Sequence, residues 1–333
     1  MKLKYLMTVL RTMKMPGLFS IMRDWQSLVR MHFIYAALES GLLEALLTPS
    51  TREELIRKLE VKRPQILDAI LDVGVSVREL AYENGFYRIK GKRSKAVTRK
   101  DGDILAAMIE ANITYYNSSY RNAAKRMYGA PLGDDVKKIG GLVARFAKIG
   151  EPFIRNFITD IVSGTHSPRV LDIGCGSGVF LKSICDANPK ASGIGIDIDE
   201  EVAEQAKKNL ETWGLGDRFG IIAADICAPP DGLEGPFDLI LLHNIIYYFS
   251  GEKRLELLNR LRSMLAPSGT VSVAMHFQSM GKDLGAANLN MVNCSFERLT
   301  PLPALDELIP QLKESGLGDV KISRLILNEN TRS

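Results

Sequence analysis

A glycine-rich segment has the clearest chemical meaning in this sequence. It reads Arg169-Val-Leu-Asp-Ile-Gly-Cys-Gly-Ser-Gly-Val-Phe180, an apolar strand that leads into three glycines and then into a helix. Glycines tolerate a tight turn and let a ligand touch the backbone, while the free N–H groups at the helix start face that ligand. The spacing G-x-G-x-G differs from the G-x-G-x-x-G of dinucleotide-binding loops. We expect Gly174, Gly176 and Gly178 to line a ligand site.

Three carboxylates accompany this loop. Asp172 precedes it, Asp197 ends the next apolar segment in GIGIDID, and Asp225 follows the third in IIAADI. Parallel strands bring their carboxyl ends to one crevice, where doubly wound sheets bind ligands. Asp197 suits the two hydroxyls of a ribose, Asp225 suits an adenine amino group, and Asp172 suits an ammonium group. The set therefore predicts a ligand made of a nucleoside joined to an amino acid, not a dinucleotide.

The same motifs resemble a known family. The segments VLDIGCGSGVF, GIGIDID, AADI, FDLILLHNIIYYFS and LRSMLAPSGTVSV resemble the successive motifs of class I S-adenosylmethionine-dependent methyltransferases. This resemblance implies an enzyme that uses S-adenosyl-L-methionine and releases S-adenosyl-L-homocysteine. It also implies that Ile226, His243 and Asn244 lie beside the cofactor, together with the three glycines and the three carboxylates.

The position of the usual catalytic base departs from the family pattern. In LLHNIIYYFS, Tyr247 stands where small-molecule O-methyltransferases usually carry histidine, and His243 falls four residues earlier. The segment Phe296-Glu-Arg-Leu-Thr300 resembles the late motif in which a glutamate, here Glu297, supports the base. The predicted catalytic residues are therefore Tyr247, Glu297 and His243. A phenol with a reference pKa of about 10 is a weak base near neutrality, so Tyr247 either accepts a proton or only orients the acceptor. Methylation of oxygen, sulfur or carbon stays open.

Candidates for the acceptor pocket come mainly from an aromatic segment before the glycine-rich half. They are Tyr115, Tyr116, Asn117, Tyr120 and Arg121, with His276 from the end of a later apolar run. They offer ring faces and a cation to an aromatic or carboxylated acceptor. Core packing accounts equally well for any single tyrosine, and a structural role accounts for His276. No cluster of side chains has the spacing of metal ligands, so we expect no metal.

The elements around these residues predict an α/β fold. Residues 162–333 alternate apolar runs with amphipathic helices, which indicates a Rossmann-like, doubly wound parallel sheet. The predicted strands are Val170–Ile173, Gly193–Ile198, Gly220–Ala224, Leu239–Leu242 and Val271–Ala274. Residues 101–161 read as a helical bridge that contributes to the acceptor pocket. Residues 1–100 predict an α-helical winged-helix domain.

The predicted winged helix consists of three helices and a hairpin. The helices span Leu28–Leu47, Thr51–Leu59 and Pro64–Val73, and the hairpin joins Glu79–Tyr82 to Phe86–Ile89 through Asn84-Gly85. A capping box of Thr51 with Glu54 and the helix-starting Pro64 support two of the helices. This order resembles the dimerisation domain of small-molecule O-methyltransferases from plants and bacteria. The resemblance implies a homodimer paired through this domain, which in that family does not read DNA.

Composition and charge limit the other classes of protein that this chain could belong to. The chain has 333 residues, 46% hydrophobic and 25% charged, and four scattered cysteines without zinc-site spacing. We expect reduced thiols and a cytoplasmic protein, because the start also lacks the apolar stretch of a signal peptide. Residues 1–100 carry a net charge of +9, whereas the whole chain carries only +4. A basic amphipathic helix with Leu3, Leu6, Leu10 and Met13 either packs on a partner subunit or touches a membrane surface.

A binding protein is the competing class of function. The basic hairpin region, with Lys90, Lys92, Arg93, Lys95, Arg99 and Lys100, suits an S-adenosylmethionine-sensing regulator that binds DNA, or a relative that has lost catalysis. Against DNA binding, Pro64–Val73 occupies the recognition position but is apolar and carries two aspartates. We therefore expect no nucleic-acid partner.

Overall fold

The structure is a computed structural model of the chain, and it describes residues 17–134, 140–230 and 233–325. The chain divides into two compact units, Met1–Asn117 and Ser118–Ser333. The amphipathic helix predicted around Leu3–Met13 lies outside the described residues. Within the described ranges, no helix is both long and apolar enough to cross a membrane.

Helices and one hairpin build the first unit. The elements are α1 Leu18–Glu39, α2 Leu42–Ala45, α3 Arg52–Lys58, α4 Pro64–Ser76, β1 Leu80–Glu83, β2 Phe86–Ile89, α5 Lys92–Val97, α6 Asp103–Ala111 and a π-helical turn Asn112–Tyr116. Their apolar faces meet in one core, in which Phe33, Leu55 and Leu71 are buried.

The local signals of this unit are confirmed at two places. Thr51 Oγ1 accepts a hydrogen bond from the Glu54 N–H at 3.3 Å, and Glu54 Oε2 accepts one from the Thr51 N–H at 2.8 Å, which completes the capping box. Asn84 and Gly85 both have positive φ angles, 52° and 82°. A two-residue hairpin turn with this geometry matches the right-handed twist of its strands, so the hairpin forms at the predicted place.

The first predicted helix differs from the observed ones. The segment Leu28–Leu47 is not one helix, because Gly41 adopts a φ of 70° and separates α1 from α2. Glycine is the residue that best tolerates this left-handed conformation at a helix end. Helix α1 also begins ten residues earlier than predicted, at Leu18.

The second unit carries the sheet. Its elements are α7 Asn117–Met127, α8 Gly140–Ala147, α9 Glu151–Val162, β3 Arg169–Ile173, α10 Val179–Ala187, β4 Ser192–Asp197, α11 Glu200–Thr212, β5 Phe219–Ala223, β6 Phe237–His243, a 3₁₀ turn Ile246–Tyr248, α12 Gly251–Met264, β7 Leu265–Ala274, α13 Leu284–Asn293 and α14 Leu305–Glu314. The strand order is β5-β4-β3-β6-β7, and every pairing is parallel. The α/β fold with a parallel sheet is confirmed.

Helices cover both faces of this sheet. Leu171 and Ile240 share one core cluster with residues of α12 and α14, whereas Val170 and Leu239 share another with residues of α9, α10 and α11. Successive strand residues point to opposite faces, so the two clusters lie on opposite sides. The strands are therefore buried on both faces, as doubly wound sheets require.

The described residues after α14 add no strand to the sheet. Residues 315–325, which follow α14, contain no strand, and no antiparallel strand joins the five parallel ones within the described residues. The apolar run that starts at Asp319 is irregular as far as it is described.

Candidate active site

The glycine-rich loop lies between β3 and α10, and β4 holds it in place. The N–H groups of Gly174 and Cys175 both donate to the carbonyl oxygen of Ile196, at 2.8 and 2.9 Å. A β-carbon at Gly174 would lie 2.5 Å from Cγ2 of Ile245, whereas one at Gly176 would meet nothing within 4 Å. Gly176, with a φ of 54°, therefore borders open space where a ligand has access to the backbone.

Asp197 is fixed at the carboxyl end of β4. Its Oδ2 accepts a hydrogen bond from the Gly176 N–H at 3.0 Å, and its Oδ1 accepts one from the Asp199 N–H at 3.1 Å. Asp199 in turn caps α11 by accepting from the N–H groups of Glu201 and Val202. Each carboxylate oxygen has a second lone pair, so Asp197 keeps acceptor capacity for ligand hydroxyls.

Asp172 is the most unusual group in the site. It is only 1% exposed, and its Oδ2 has no hydrogen-bond partner among the described residues. Burial and, to a smaller extent, the charge of Asp197 raise the pKa of Asp172 to about 7. Burial of an ionised carboxylate is costly without a positive partner, so this position favours a cationic ligand group.

Asp225 and Ile226 follow β5. Asp225 is exposed, and its Oδ1 accepts a hydrogen bond from the Cys227 N–H at 2.8 Å, which holds the carboxylate in a local turn. Ile226 is buried in the core cluster of α12, and its carbonyl oxygen accepts from Arg260 Nη1 at 3.1 Å. The two residues are therefore adjacent in sequence but differ in access to a ligand.

His243 lies beneath the site. It is 5% exposed, its Nε2 lies 3.0 Å from Ser272 Oγ, and its ring meets Phe180 edge to face at 5.2 Å between centroids. Burial lowers the pKa of His243 to about 3, so its imidazole is neutral near pH 7. A buried, neutral ring is poorly placed to take a proton from an acceptor, and the catalytic role of His243 stays a prediction. Asn244 follows with a φ of 57° and donates its N–H to the Ala274 carbonyl at 2.9 Å.

Tyr247 is tied to the late motif through its backbone. The N–H and the Oγ1 of Thr300 both donate to the Tyr247 carbonyl oxygen, at 2.7 and 2.9 Å. The structure therefore places the segment Phe296–Thr300 next to the backbone of Tyr247, as the family resemblance implies. Glu297 is exposed, and its N–H donates to the Gly133 carbonyl at 2.8 Å. The sequence reasoning missed Thr300, which makes the contact.

Tyr248 is a second residue that the sequence reasoning missed. Its ring packs against Tyr247 at 5.1 Å between centroids. Burial and, to a smaller extent, the charge of Asp197 raise the pKa of Tyr248. The two adjacent tyrosines in IIYYFS were the sequence signal that could have pointed to Tyr248.

The predicted pocket residues divide between the two units. Tyr115, Tyr116 and Asn117 belong to the first unit, where the two tyrosine rings meet edge to face at 5.4 Å. In the second unit, Tyr120 donates its hydroxyl to Asn288 Oδ1 at 2.8 Å.

The remaining two pocket candidates are exposed. His276 approaches Gly285 at the start of α13, with Cε1 3.5 Å from where a β-carbon would stand, and Arg121 projects from α7. Tyr120 and His276 thus share α13 as a neighbour. Among the described residues, no three His, Cys, Asp or Glu side chains form a group that would hold a metal.

Comparison with known proteins identifies the glycine-rich half. Residues 170–269 match a family model described as a methyltransferase domain. This segment is a methyltransferase domain. It contains the glycine loop, the three carboxylates and Tyr247, whereas Tyr120, His276 and Thr300 lie outside the matched residues.

Curated relatives match the chain over short stretches. A release factor glutamine methyltransferase of Bradyrhizobium diazoefficiens is 42% identical over 77 residues, which is 23% of this chain and 25% of the relative. The O-methyltransferase SfmM3 of Streptomyces lavendulae is 29% identical over 121 residues, 36% of this chain and 33% of the relative. The chain spans less than half the length of the first curated relatives it matches.

Solved structures match the chain over nearly its full length. The mitomycin 7-O-methyltransferase covers 93% of this chain and 93% of its own, with a TM-score of 0.74 and 16% identity. Human N-acetylserotonin methyltransferase in complex with S-adenosylmethionine covers 93% of this chain and 95% of its own, with a TM-score of 0.70 and 16% identity. At this identity the likeness concerns the fold, which both units of the chain share with these class I methyltransferases.

Proposed function

We propose that this protein transfers a methyl group from S-adenosylmethionine to a small-molecule acceptor. The observation that carries the proposal is the buried Asp172 carboxylate, whose Oδ2 lacks a partner among the described residues, beside Asp197 and the open side of Gly176. The amino-acid part of S-adenosylmethionine offers the ammonium group that such a carboxylate needs. The regulator alternative finds no support in the comparisons.

The residues of the site fit the parts of this cofactor. Asp172 would hold the ammonium group, Asp197 the ribose hydroxyls and Asp225 the adenine amino group, while Gly176 leaves its backbone open. When bound, the cofactor supplies a methyl group on a sulfonium sulfur. The protein then has to position the acceptor in line with that methyl group and exclude water, and both effects lower the barrier.

We infer that Tyr247 orients the acceptor and does not remove its proton. Phenol acidity makes proton removal costly near neutrality, and His243 is buried and neutral, so neither residue is a good base. Glu297 then acts only as part of the loop that fastens Tyr247. An acceptor whose oxygen, sulfur or carbon is already nucleophilic suits such a site. The names of the two structural neighbours specify small molecules, which supports a small-molecule acceptor.

We also propose a homodimer that pairs through the first unit. Helix α1 buries Phe33, Ile34 and Ala37 near its end, but its first part exposes large apolar side chains. These are Phe19, Ile21, Met22, Trp25 and Leu28. A second copy would cover them and avoid an exposed apolar patch. For the compartment we propose the cytoplasm, on the basis of four free cysteines.

Substitution of Asp197 tests the cofactor assignment. We expect Asp197→Ala to weaken S-adenosylhomocysteine binding by about 10- to 100-fold, because two hydrogen bonds to a charged acceptor are lost. Titration calorimetry measures the dissociation constant. Asp186→Ala is the matched control, since it removes the same charge from the exposed side of α10. Equal affinity of Asp197→Ala and wild type would remove Asp197 from the site. Incorporation of labelled methyl groups into metabolite extracts tests the activity itself.

A further inference from the structure

Arg126 is a second cation near the late motif and differs from the predicted Arg121. It lies in the last turn of α7, and its guanidinium carbon stands 5.6 Å from the centre of the buried Phe296 ring. The following segment returns to the same place, because Gly133 donates to the Ser295 carbonyl at 3.0 Å and accepts from the Glu297 N–H at 2.8 Å. Helix α7 and residues 295–297 therefore hold the guanidinium from two sides.

The approach of Gly133 confirms how closely the guanidinium is enclosed. A β-carbon at Gly133 would lie 2.8 Å from Cε1 of Phe296 and 3.1 Å from Nη2 of Arg126. Any larger residue at this position would push the ring or the guanidinium aside. Among the described residues, backbone and ring contacts define the position of Arg126, and no ion pair does.

The polar requirements of Arg126 are not met by the described residues. Its Nε and Nη1 are buried and have no hydrogen-bond partner there. By contrast the buried Arg254 donates through Nη1 to Glu307 Oε1 at 2.7 Å and to Gln311 Oε1 at 3.3 Å, and only its Nε lacks a partner there. Buried charged donors without acceptors are strongly unfavourable, so Arg126 calls for an anion.

The surroundings of Arg126 connect it to the acceptor side of the site. Phe296, on which the guanidinium rests, begins the motif whose Thr300 donates two hydrogen bonds to the Tyr247 carbonyl. Tyr247 stands where related enzymes place the residue that contacts the acceptor. A ligand group at Arg126 therefore lies along the same loop that positions Tyr247.

We propose that Arg126 binds a carboxylate of the acceptor, which makes the substrate class small molecules with a carboxylic acid group. This proposal rests on the proposed function and specifies its acceptor. The planar guanidinium matches a carboxylate in two parallel hydrogen bonds. Arg121, the cation predicted from sequence, is exposed and lacks this enclosure.

Binding of benzoate and of its neutral analogue benzamide tests the proposal without knowledge of the natural acceptor. Each probe is titrated into the full-length protein saturated with S-adenosylhomocysteine. We expect saturable benzoate binding to wild type and an affinity about 10- to 100-fold lower in Arg126→Gln, because a charge-assisted pair is lost. Arg126→Lys keeps the charge but not the planar pair of donors, so its benzoate affinity should lie between those of wild type and Arg126→Gln. Lys125→Gln removes the same charge from a neighbouring exposed position and should bind like wild type.

S-adenosylhomocysteine binding separates the two proposals. Arg126→Gln with normal S-adenosylhomocysteine affinity and weak benzoate affinity supports the carboxylate site. Absence of saturable benzoate binding to wild type, equal affinity of Arg126→Gln and wild type, or equal binding of benzamide and benzoate would overturn it. If Arg126→Gln loses its fold, the comparison of Arg126→Lys with wild type decides. A wild type that binds benzoate but not S-adenosylhomocysteine would refute the cofactor assignment alone.

Discussion

At the scale of single residues, Asp172 makes the stability of the folded protein depend on pH. Its pKa of about 7 in the folded protein lies well above the 3.8 of an exposed aspartate, because burial disfavours its charged form. The folded state therefore keeps a proton that the unfolded state releases. The stability contributed by the protonated group is complete below about pH 4 and is lost as the pH rises towards 7.

Replacement of Asp172 by asparagine should change this pH dependence. We expect Asp172→Asn, without ligand, to be more stable than wild type at pH 8 by on the order of a few kcal/mol, and the advantage to shrink towards pH 5. Urea unfolding at both pH values measures the difference. Cofactor affinity should fall in the same variant, because the ammonium group loses its counter-charge. Parallel stability curves for the two proteins across pH 5–8 would show that Asp172 is not held protonated.

Tyr247 gives the second prediction at this scale. If it orients the acceptor, Tyr247→Phe should lower kcat/KM by less than about 100-fold, partly through KM, and leave the shape of the pH profile unchanged. Tyr128→Phe is the control for loss of an exposed phenol, because Tyr128 is 88% exposed. Steady-state rates across pH 6–10 with an acceptor found in the extract screen distinguish the roles. A loss of about 10²–10⁴-fold in kcat together with the disappearance of an alkaline rise would instead make Tyr247 a general base.

At the scale of elements, the short-range signals were the predictable ones. Strands β3, β4, β5 and β6 lie within one or two residues of their predicted bounds, because each contains a short apolar run, and the central β3 and β6 are buried on both faces. Strand β7 begins at Leu265, six residues before its predicted start, since Pro267-Ser-Gly269 reads as a turn. The proposed cofactor residues Asp172, Asp197 and Asp225 lie in or just after such runs, which is why the sequence singles them out.

The missed residues depend on contacts between distant segments. Thr300 reaches Tyr247 across 53 residues, and Phe296 meets Arg126 across a larger separation that no local pattern encodes. The burial of His243 also depends on distant residues, because its place at a strand end does not reveal that Ser272 and Phe180 enclose it. Whether a side chain at the crevice is buried can therefore be determined only from the packed structure.

The junction between the hairpin and α5 gives a prediction about elements. Glu79 is 1% exposed, and its Oε2 accepts from the N–H and Oγ of Ser94, at 3.0 and 2.8 Å, while Arg30 and Arg93 lie 3.7 and 3.6 Å from its Oε1. We expect Glu79→Ala to reduce the free energy of unfolding by about 3–5 kcal/mol, because buried donors lose their acceptor.

Two further variants make this prediction specific. Glu79→Gln keeps an acceptor oxygen and should cost less than Glu79→Ala, and Glu83→Ala on the exposed end of β1 should cost little because it removes only a surface ion pair with Arg88. Chemical denaturation measures all three. Equal stability of Glu79→Ala and Glu83→Ala would mean that the buried carboxylate does not hold the hairpin to α5.

At the scale of the whole molecule, α1 provides the surface for the proposed homodimer. Ile21, Trp25 and Leu28 are each more than half exposed and follow one another at helical spacing, so they form one apolar side of the helix. We expect light scattering at micromolar concentration to give a mass of twice 36.9 kDa for wild type. Trp25→Glu places a charge in the middle of this side and should shift the mass towards that of the monomer. Ser27→Glu adds the same charge on another side of α1 and should leave the dimer intact. A monomeric wild type would exclude the dimer, and a dimeric Trp25→Glu would place the interface on another surface.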